Sequence, residues 1–157
     1  MTTTIPFNNT IMSKINVSGL VENTDINYRY RMNKFDVAFE KNKTVIKNLD
    51  KISNDIGREQ GMIIYFFKRY FGTNFILKDG KYSTSKKLSA TELQNALKEF
   101  IEYSVLCPTC RLPETHLSPS KTGITITCDC CGHNDKVNTN TITSKPMKDL
   151  YEHMTKN

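Results

Sequence analysis

The sequence holds no tryptophan and no long apolar run. No stretch approaches the roughly 18 apolar residues of a membrane-crossing helix, so no helical span is expected. No charged segment followed by an apolar one opens the chain. A secretory leader is therefore not expected, and the expected location is cytoplasmic. A glycine-rich phosphate loop is missing, as is a Ser-His-Asp set. The three histidines, His116, His133 and His153, all fall late in the chain. Asp36 and Glu40 alternate with Val37 and Phe39 and read as the wet side of a strand, not as acid–base machinery. The chain is not expected to be an enzyme itself. The absence of tryptophan, with heavy use of Asn, Lys and Ile, fits an AT-rich coding genome and carries no functional information.

What is present sets other bounds. The 157 residues are 38% apolar, enough for one main domain with a small appended module. The net charge is +6 and the pI about 9.0, which favours a polyanionic partner.

Four of the five cysteines fall in two pairs, Cys107-Pro-Thr-Cys110 and Cys128-Asp-Cys-Cys131, with seventeen residues between them. That spacing is the pattern of a zinc ribbon. Zn2+ favours four tetrahedral ligands in structural sites and suits thiolate. Two cysteines three apart in a tight turn can face one ion. Gly132 follows the second pair, where such a turn favours positive φ; Arg111 holds the matching place after the first. Cys130 in place of Cys131 leaves too short a gap for the usual knuckle. His116 and His133 are other candidate ligands, though four cysteines suffice. Reduced thiols or a disulfide are the alternative reading. Paired metal spacing argues for a reducing compartment. Four thiolates leave no open position, so the expected Zn2+ is structural.

Upstream, Phe35, Val37 and Phe39 alternate as a strand, Lys41-Asn42 turns, and Thr44–Ile46 returns as its hairpin partner. Leu49, Ile52 and Ile56 repeat at helical spacing before Gly57. Met62, Ile63, Phe66, Phe67 and Tyr70 make a second helical stripe before Gly72. Phe75-Ile76-Leu77, Asp79-Gly80 and Tyr82 read as another hairpin. Ser89-Ala-Thr-Glu92 is a capping box, with Leu93, Ala96, Leu97, Phe100 and Ile101 on one face behind it. In the ribbon, strands are expected at 115–117, 124–128 and 136–137, with 118–121 as the outer loop. Pro146 suits the first turn of a last helix whose face is Met147, Leu150, Tyr151 and Met154. That face either packs back on the domain or binds a partner.

The fold class is read as α+β: a small mixed α/β domain followed by a four-cysteine zinc ribbon. The divisions expected are a flexible arm at 1–25, the α/β domain at 26–104, the ribbon at 105–138, and a linker with a short helix at 139–157.

Four ordered segments carry a resemblance. They are Tyr28-Arg29-Tyr30-Arg31-Met32, Lys43-Thr44-Val45-Ile46-Lys47-Asn48, Lys68-Arg69-Tyr70-Phe71-Gly72, and Val105-Leu106-Cys107-Pro108-Thr109-Cys110-Arg111-Leu112-Pro113-Glu114-Thr115. Over roughly residues 26–138 the chain resembles the N-terminal domain of eukaryotic translation initiation factor 5. The beta subunit of initiation factor 2 shares that fold. Tyr-Arg-Tyr-Arg-Met and Lys-Arg-Tyr-Phe-Gly favour factor 5, while Thr73 after Gly72 leans toward the beta subunit. The resemblance implies a cytoplasmic monomer that promotes GTP hydrolysis on the gamma subunit of factor 2. Its partners would be GTP-bound factor 2 with initiator tRNA, and the small ribosomal subunit. It implies an arginine-finger role for Arg29 and partner contacts at Lys43, Arg69 and Lys41. The first hairpin is shorter than the family's Gly-rich basic tip, with only Lys41-Asn42-Lys43 remaining. The helical-repeat domain of cellular factor 5 is not in this sequence, so a stand-alone core is expected.

Two other readings stand beside the activator. One is a beta-subunit-like or decoy module that docks on the gamma subunit or the small ribosomal subunit without accelerating hydrolysis. The other is a plain nucleic-acid-binding ribbon using Lys81, Lys86, Lys87 and Lys121.

Overall fold

Three antiparallel sheets and four α-helices make up the residues described by the computed structural model, 14–16 and 31–156. Arg29 and most of the expected arm lie outside them. Within the arm, β1 (Lys14–Asn16) pairs with β2 (Arg31–Asn33). Asn33 then fastens β2 to the first helix, donating from both its backbone and its side-chain nitrogen to Asp55 Oδ2 at 2.7 Å.

The central sheet has the order β3-β4-β6-β5. It consists of β3 (Val37–Glu40), β4 (Lys43–Ile46), β5 (Ile76–Lys78) and β6 (Lys81–Thr84). Lys41 and Asn42 both take positive φ, 49° and 64°. That is the geometry of a two-residue turn whose twist suits a hairpin. In β4 the period of two puts Thr44 and Ile46 inside, with Lys43 exposed.

Three helices cover the inner face: α1 (Leu49–Ile56), α2 (Gln60–Phe71) and α3 (Ala90–Ser104). The stripes of α1 and α3 are buried as predicted. In α2, Ile63, Phe66 and Phe67 are buried and Ile64 joins them, while Tyr70 is 40% exposed. Phe66, Phe67 and Phe100 are fully enclosed. Phe66 meets Phe100 at 5.5 Å between ring centroids, and Phe67 meets Phe35 at 5.8 Å. Each such side chain contributes roughly 1.5–3 kcal/mol by leaving water. Gly57 ends α1 at φ 68°, a conformation that costs an L side chain strain. The capping box of α3 is complete: Glu92 N donates to Ser89 Oγ at 3.1 Å and Ser89 N to Glu92 Oε2 at 3.3 Å.

The third sheet contains β7 (Thr115–Ser120), β8 (Gly123–Cys128) and β9 (Asn134–Lys136), in that order. Its hairpin is longer than the sequence suggests. Ser118, Pro119 and Ser120 pair with Thr125, Ile124 and Gly123, so only Lys121 and Thr122 form the turn. Proline lies there on the edge strand, where its missing N–H costs no ladder bond. The last strand falls at 134–136 instead of 136–137.

The final helix, α4 (Lys145–Lys156), packs back. Met147, Leu150 and Tyr151 are buried, and the helix lies against α2, β7 and β8. Ser144 Oγ accepts from Met147 N and donates to Glu99. Tyr151 Oη donates to Tyr103 O at 2.8 Å.

Candidate metal centre and basic positions

Two turns of the same build hold the cysteines. After α3 the chain runs through buried Val105 and Leu106 into Cys107. There Arg111 N donates to Cys107 O at 2.9 Å and Cys107 N to Leu112 O at 3.0 Å. In the second turn Gly132 N donates to Cys128 O at 3.1 Å and Cys128 N to His133 O at 2.8 Å. Arg111 adopts the left-handed conformation of Gly132, φ 65° against 79°. The strain of an L residue there is about 1 kcal/mol. Its guanidinium meets both oxygens of Glu102 at 2.7 Å.

The Sγ atoms of Cys107, Cys110, Cys128 and Cys131 all lie within 4.8 Å of one another. Cys107 and Cys131 approach to 3.6 Å, as do Cys110 and Cys128. A tetrahedron with metal–sulfur bonds of about 2.3 Å has edges near 3.8 Å, so the four residues fit a metal ion. Thr109 N and Cys130 N each point at a sulfur, Cys107 Sγ and Cys128 Sγ, at 3.3 Å. Such N–H groups favour thiolate. Burial pushes the Cys107 thiol up. The backbone N–H groups of Cys110 and Thr109, then the Cys131 and Cys110 thiols, outweigh it and hold Cys107 at about 6.

The alternative ligands are engaged elsewhere. Cys130 Sγ donates to Glu114 Oε2 at 2.7 Å. His116 Nε2 meets Asp129 Oδ2 at 2.6 Å, and His133 Nδ1 meets Thr109 Oγ1 at 3.0 Å.

The basic positions do not converge. Lys41 and Lys43 stand exposed at the β3–β4 turn. Arg69, near the end of α2, reaches Asp149 of α4 at 2.8 Å through Nη2 and 2.9 Å through Nε. Lys145 shares the same carboxylate at 2.6 Å. The Lys145 hydrogen bond is the main cause that holds Asp149 below the usual carboxylate range; burial pulls the other way, and Arg69 adds to the lowering. Arg29 is outside the described residues.

Sequence reasoning missed Arg58. It sits between α1 and α2 with 8% of its surface exposed. Nε donates to Ser104 O, Nη1 to Gly57 O and Thr115 O, and Nη2 to Ser104 O and Thr115 Oγ1. All five N–H donors of the guanidinium are thereby used. Burial lowers the group to about 10, slightly opposed by the charge of Tyr151, so it stays cationic at neutral pH. One side chain thus joins the helical layer to Thr115, the residue that pairs with Cys128. A Gly-Arg-Glu run between two helical stripes was the sole local signal.

Among the described residues no helix is long and apolar enough to cross a membrane.

Residues 21–134 match the family described as a domain found in initiation factors 2B and 5. The chain belongs to this family. It is similar to eukaryotic translation initiation factor 5 of Dictyostelium discoideum, 34% identical over 125 residues, covering 77% of this chain and 31% of the relative. A probable factor 5 of Schizosaccharomyces pombe is 37% identical over 130 residues, 78% and 32%. The beta subunit of translation initiation factor 2 of Nanoarchaeum equitans is 31% identical over 103 residues, 65% and 74%. The chain therefore spans about a third of the length of these factor 5 relatives and about three-quarters of the archaeal subunit. The family match begins before β2 and ends within β9, so it covers the central sheet, its helices and both cysteine turns.

Proposed function

We propose that this chain acts in translation initiation as a GTPase-activating core like the N-terminal domain of factor 5. It would work on factor 2 carrying GTP and initiator tRNA at the small ribosomal subunit. The observation that carries this reading is the family match across residues 21–134, with factor 5 relatives at 34–37% identity. In this reading Arg29 supplies the chemistry. A guanidinium carries fixed donors and a permanent charge, suited to the negative charge that develops on a transferring phosphoryl group. Lys41 and Lys43 serve as partner contacts. Arg69 must exchange its Asp149 contact if it is to meet a partner. The four cysteines hold one structural Zn2+, closed by four thiolates and without a part in hydrolysis.

Single-turnover GTP hydrolysis on the ternary complex tests this. The chain should raise the rate, and Arg29→Ala should remove most of the rise, on the order of 10³-fold where a full finger operates. Equal stimulation by the Arg29→Ala variant sinks the finger role.

The second reading is a beta-subunit-like or decoy module. It is favoured by the coverage of the archaeal beta subunit, 74% of that protein's length. Binding to factor 2 with no change in hydrolysis rate supports it over the first.

A further inference from the structure

Strand register sets four residues side by side across the outer face of the central sheet. Ala38 stands opposite Val45, Val45 opposite Ser83, and Ser83 opposite Ile76. Side chains alternate along a strand, so this row faces away from Val37, Ile46 and Tyr82, which pack with the core. Neighbouring strands lie about 4.8 Å apart, which makes the row about 14 Å long. It is small and apolar except for Ser83. Ile76, its bulkiest member, is 60% exposed on the edge strand.

Lysines run beside the row. Lys78 stands directly opposite Lys81. Ile46 pairs with Tyr82, so Lys47, the next residue of its strand, comes opposite Lys81 as well. Lys47, Lys81 and Lys78 thus form a second row on the same face. Lys43 lies on the other side of the apolar row, opposite Glu40. All four lysines border a depression of about 400 Å³ whose lining includes Val45 and Ser83, with Glu40 and Asp79 as its acids. Among the described residues Lys78 and Lys81 make no ion pair, and Lys47 reaches Asp36 at 3.9 Å. Like charges directly opposite each other on neighbouring strands are unfavourable, and an anionic partner would relieve that repulsion.

The chemistry of the face separates two kinds of polyanion. Phe39 and Tyr82 point to the other side of the sheet, with Thr44 and Ile46, so these strands carry no aromatic ring on the outer side. The stacking platform that single-stranded nucleic acid uses is therefore missing. What the face offers is an apolar track with cations along its sides.

We propose that this face docks an acidic amphipathic helix of a partner protein. The apolar stripe of the helix lies along Ala38, Val45, Ser83 and Ile76. Its flanking carboxylates meet Lys47, Lys81 and Lys78 on one side and Lys43 on the other. About ten helical residues span the row. This docking goes beyond activation of factor 2 and requires neither Arg29 nor that partner.

Fluorescence anisotropy with the full chain tests it. The probe is a labelled synthetic peptide of about 14 residues, with leucine on one helical face and glutamate elsewhere. Wild type should bind it, and more weakly as salt rises. Ile76→Ser should weaken binding about fivefold and leave the salt dependence unchanged. Lys78→Glu with Lys81→Glu should lose the glutamate peptide and gain the same peptide carrying lysine in place of glutamate. All three side chains are exposed, and thermal melts check that the variants are folded. Failure of wild type to bind, unchanged affinity in Ile76→Ser, or no gain on charge exchange overturns the inference. Competition by polyglutamate as effective as that by the unlabelled peptide also overturns it, because the apolar row then takes no part. Equal competition by single-stranded RNA overturns it as well, by assigning the lysines to nucleic acid. Stimulated hydrolysis without peptide binding removes this inference and leaves the activator reading standing.

Discussion

Arg58 shows how much one side chain can carry. Its five N–H groups donate to the carbonyls of Gly57, Ser104 and Thr115 and to the Thr115 hydroxyl, which itself donates to Val105 O. Replacing it by leucine keeps bulk but strands Ser104 O and Thr115 O. The expected loss is about 2–4 kcal/mol, read by urea unfolding. Arg58→Lys should recover little, because one ammonium cannot span acceptors set for a planar fork. Arg111 makes the opposite case. Arg111→Gly removes left-handed strain worth about 1 kcal/mol and loses an exposed ion pair to Glu102 worth less. A small gain in thermal midpoint is expected, and a fall would show that the Glu102 contact outweighs the strain.

At the scale of elements, α4 is held by its apolar face and by the Asp149 cluster. The folded-state pKa of Asp149 is depressed, so its contribution is fully present above the ordinary carboxylate value of about 4 and is lost as pH falls from there through the lower folded-state value. Asp149→Asn should therefore reduce the acid sensitivity of the melt below about pH 4 while lowering stability slightly at neutral pH. A variant with an unchanged pH profile would show that the contact contributes nothing. The elements were legible where the signal is local. The stripes of α1, α2 and α3, the Ser89 cap and the Lys41-Asn42 turn are all written within a few residues. What escaped reading was long-range. Arg58 bonds residues 46 and 57 positions away, and Arg69 finds Asp149 at a separation of 80. No periodicity or turn chemistry announces such pairs. The extra length of β7 escaped for a different reason: Pro119 and its serines look like loop, and only an edge position lets them pair. At the candidate metal centre the spacing chose the four cysteines that the structure clusters. The basic positions came from resemblance alone, and nothing in their own neighbourhoods would have singled out Lys43 or Arg69.

For the whole molecule, the sheet-and-helix layer and the ribbon share fasteners. Arg58 grips Thr115, and α4 lies across α2 and both long ribbon strands. Stripping metal with a chelator should therefore lower the melting midpoint of the entire chain, not of a separate small transition. Structural zinc in small modules is worth on the order of 10 kcal/mol at neutral pH, enough to dominate this fold's margin. Two well-resolved transitions in a calorimetric scan would contradict this coupling.

The fifth cysteine has a practical consequence. Cys130 is exposed and lies outside the cluster, turned toward Glu114. With a metal in place, a maleimide should modify the chain once. After chelation the same reagent should add up to five labels. Intact mass then reads metal occupancy directly from the number of adducts, molecule by molecule, and Cys130→Ser supplies the zero of that scale.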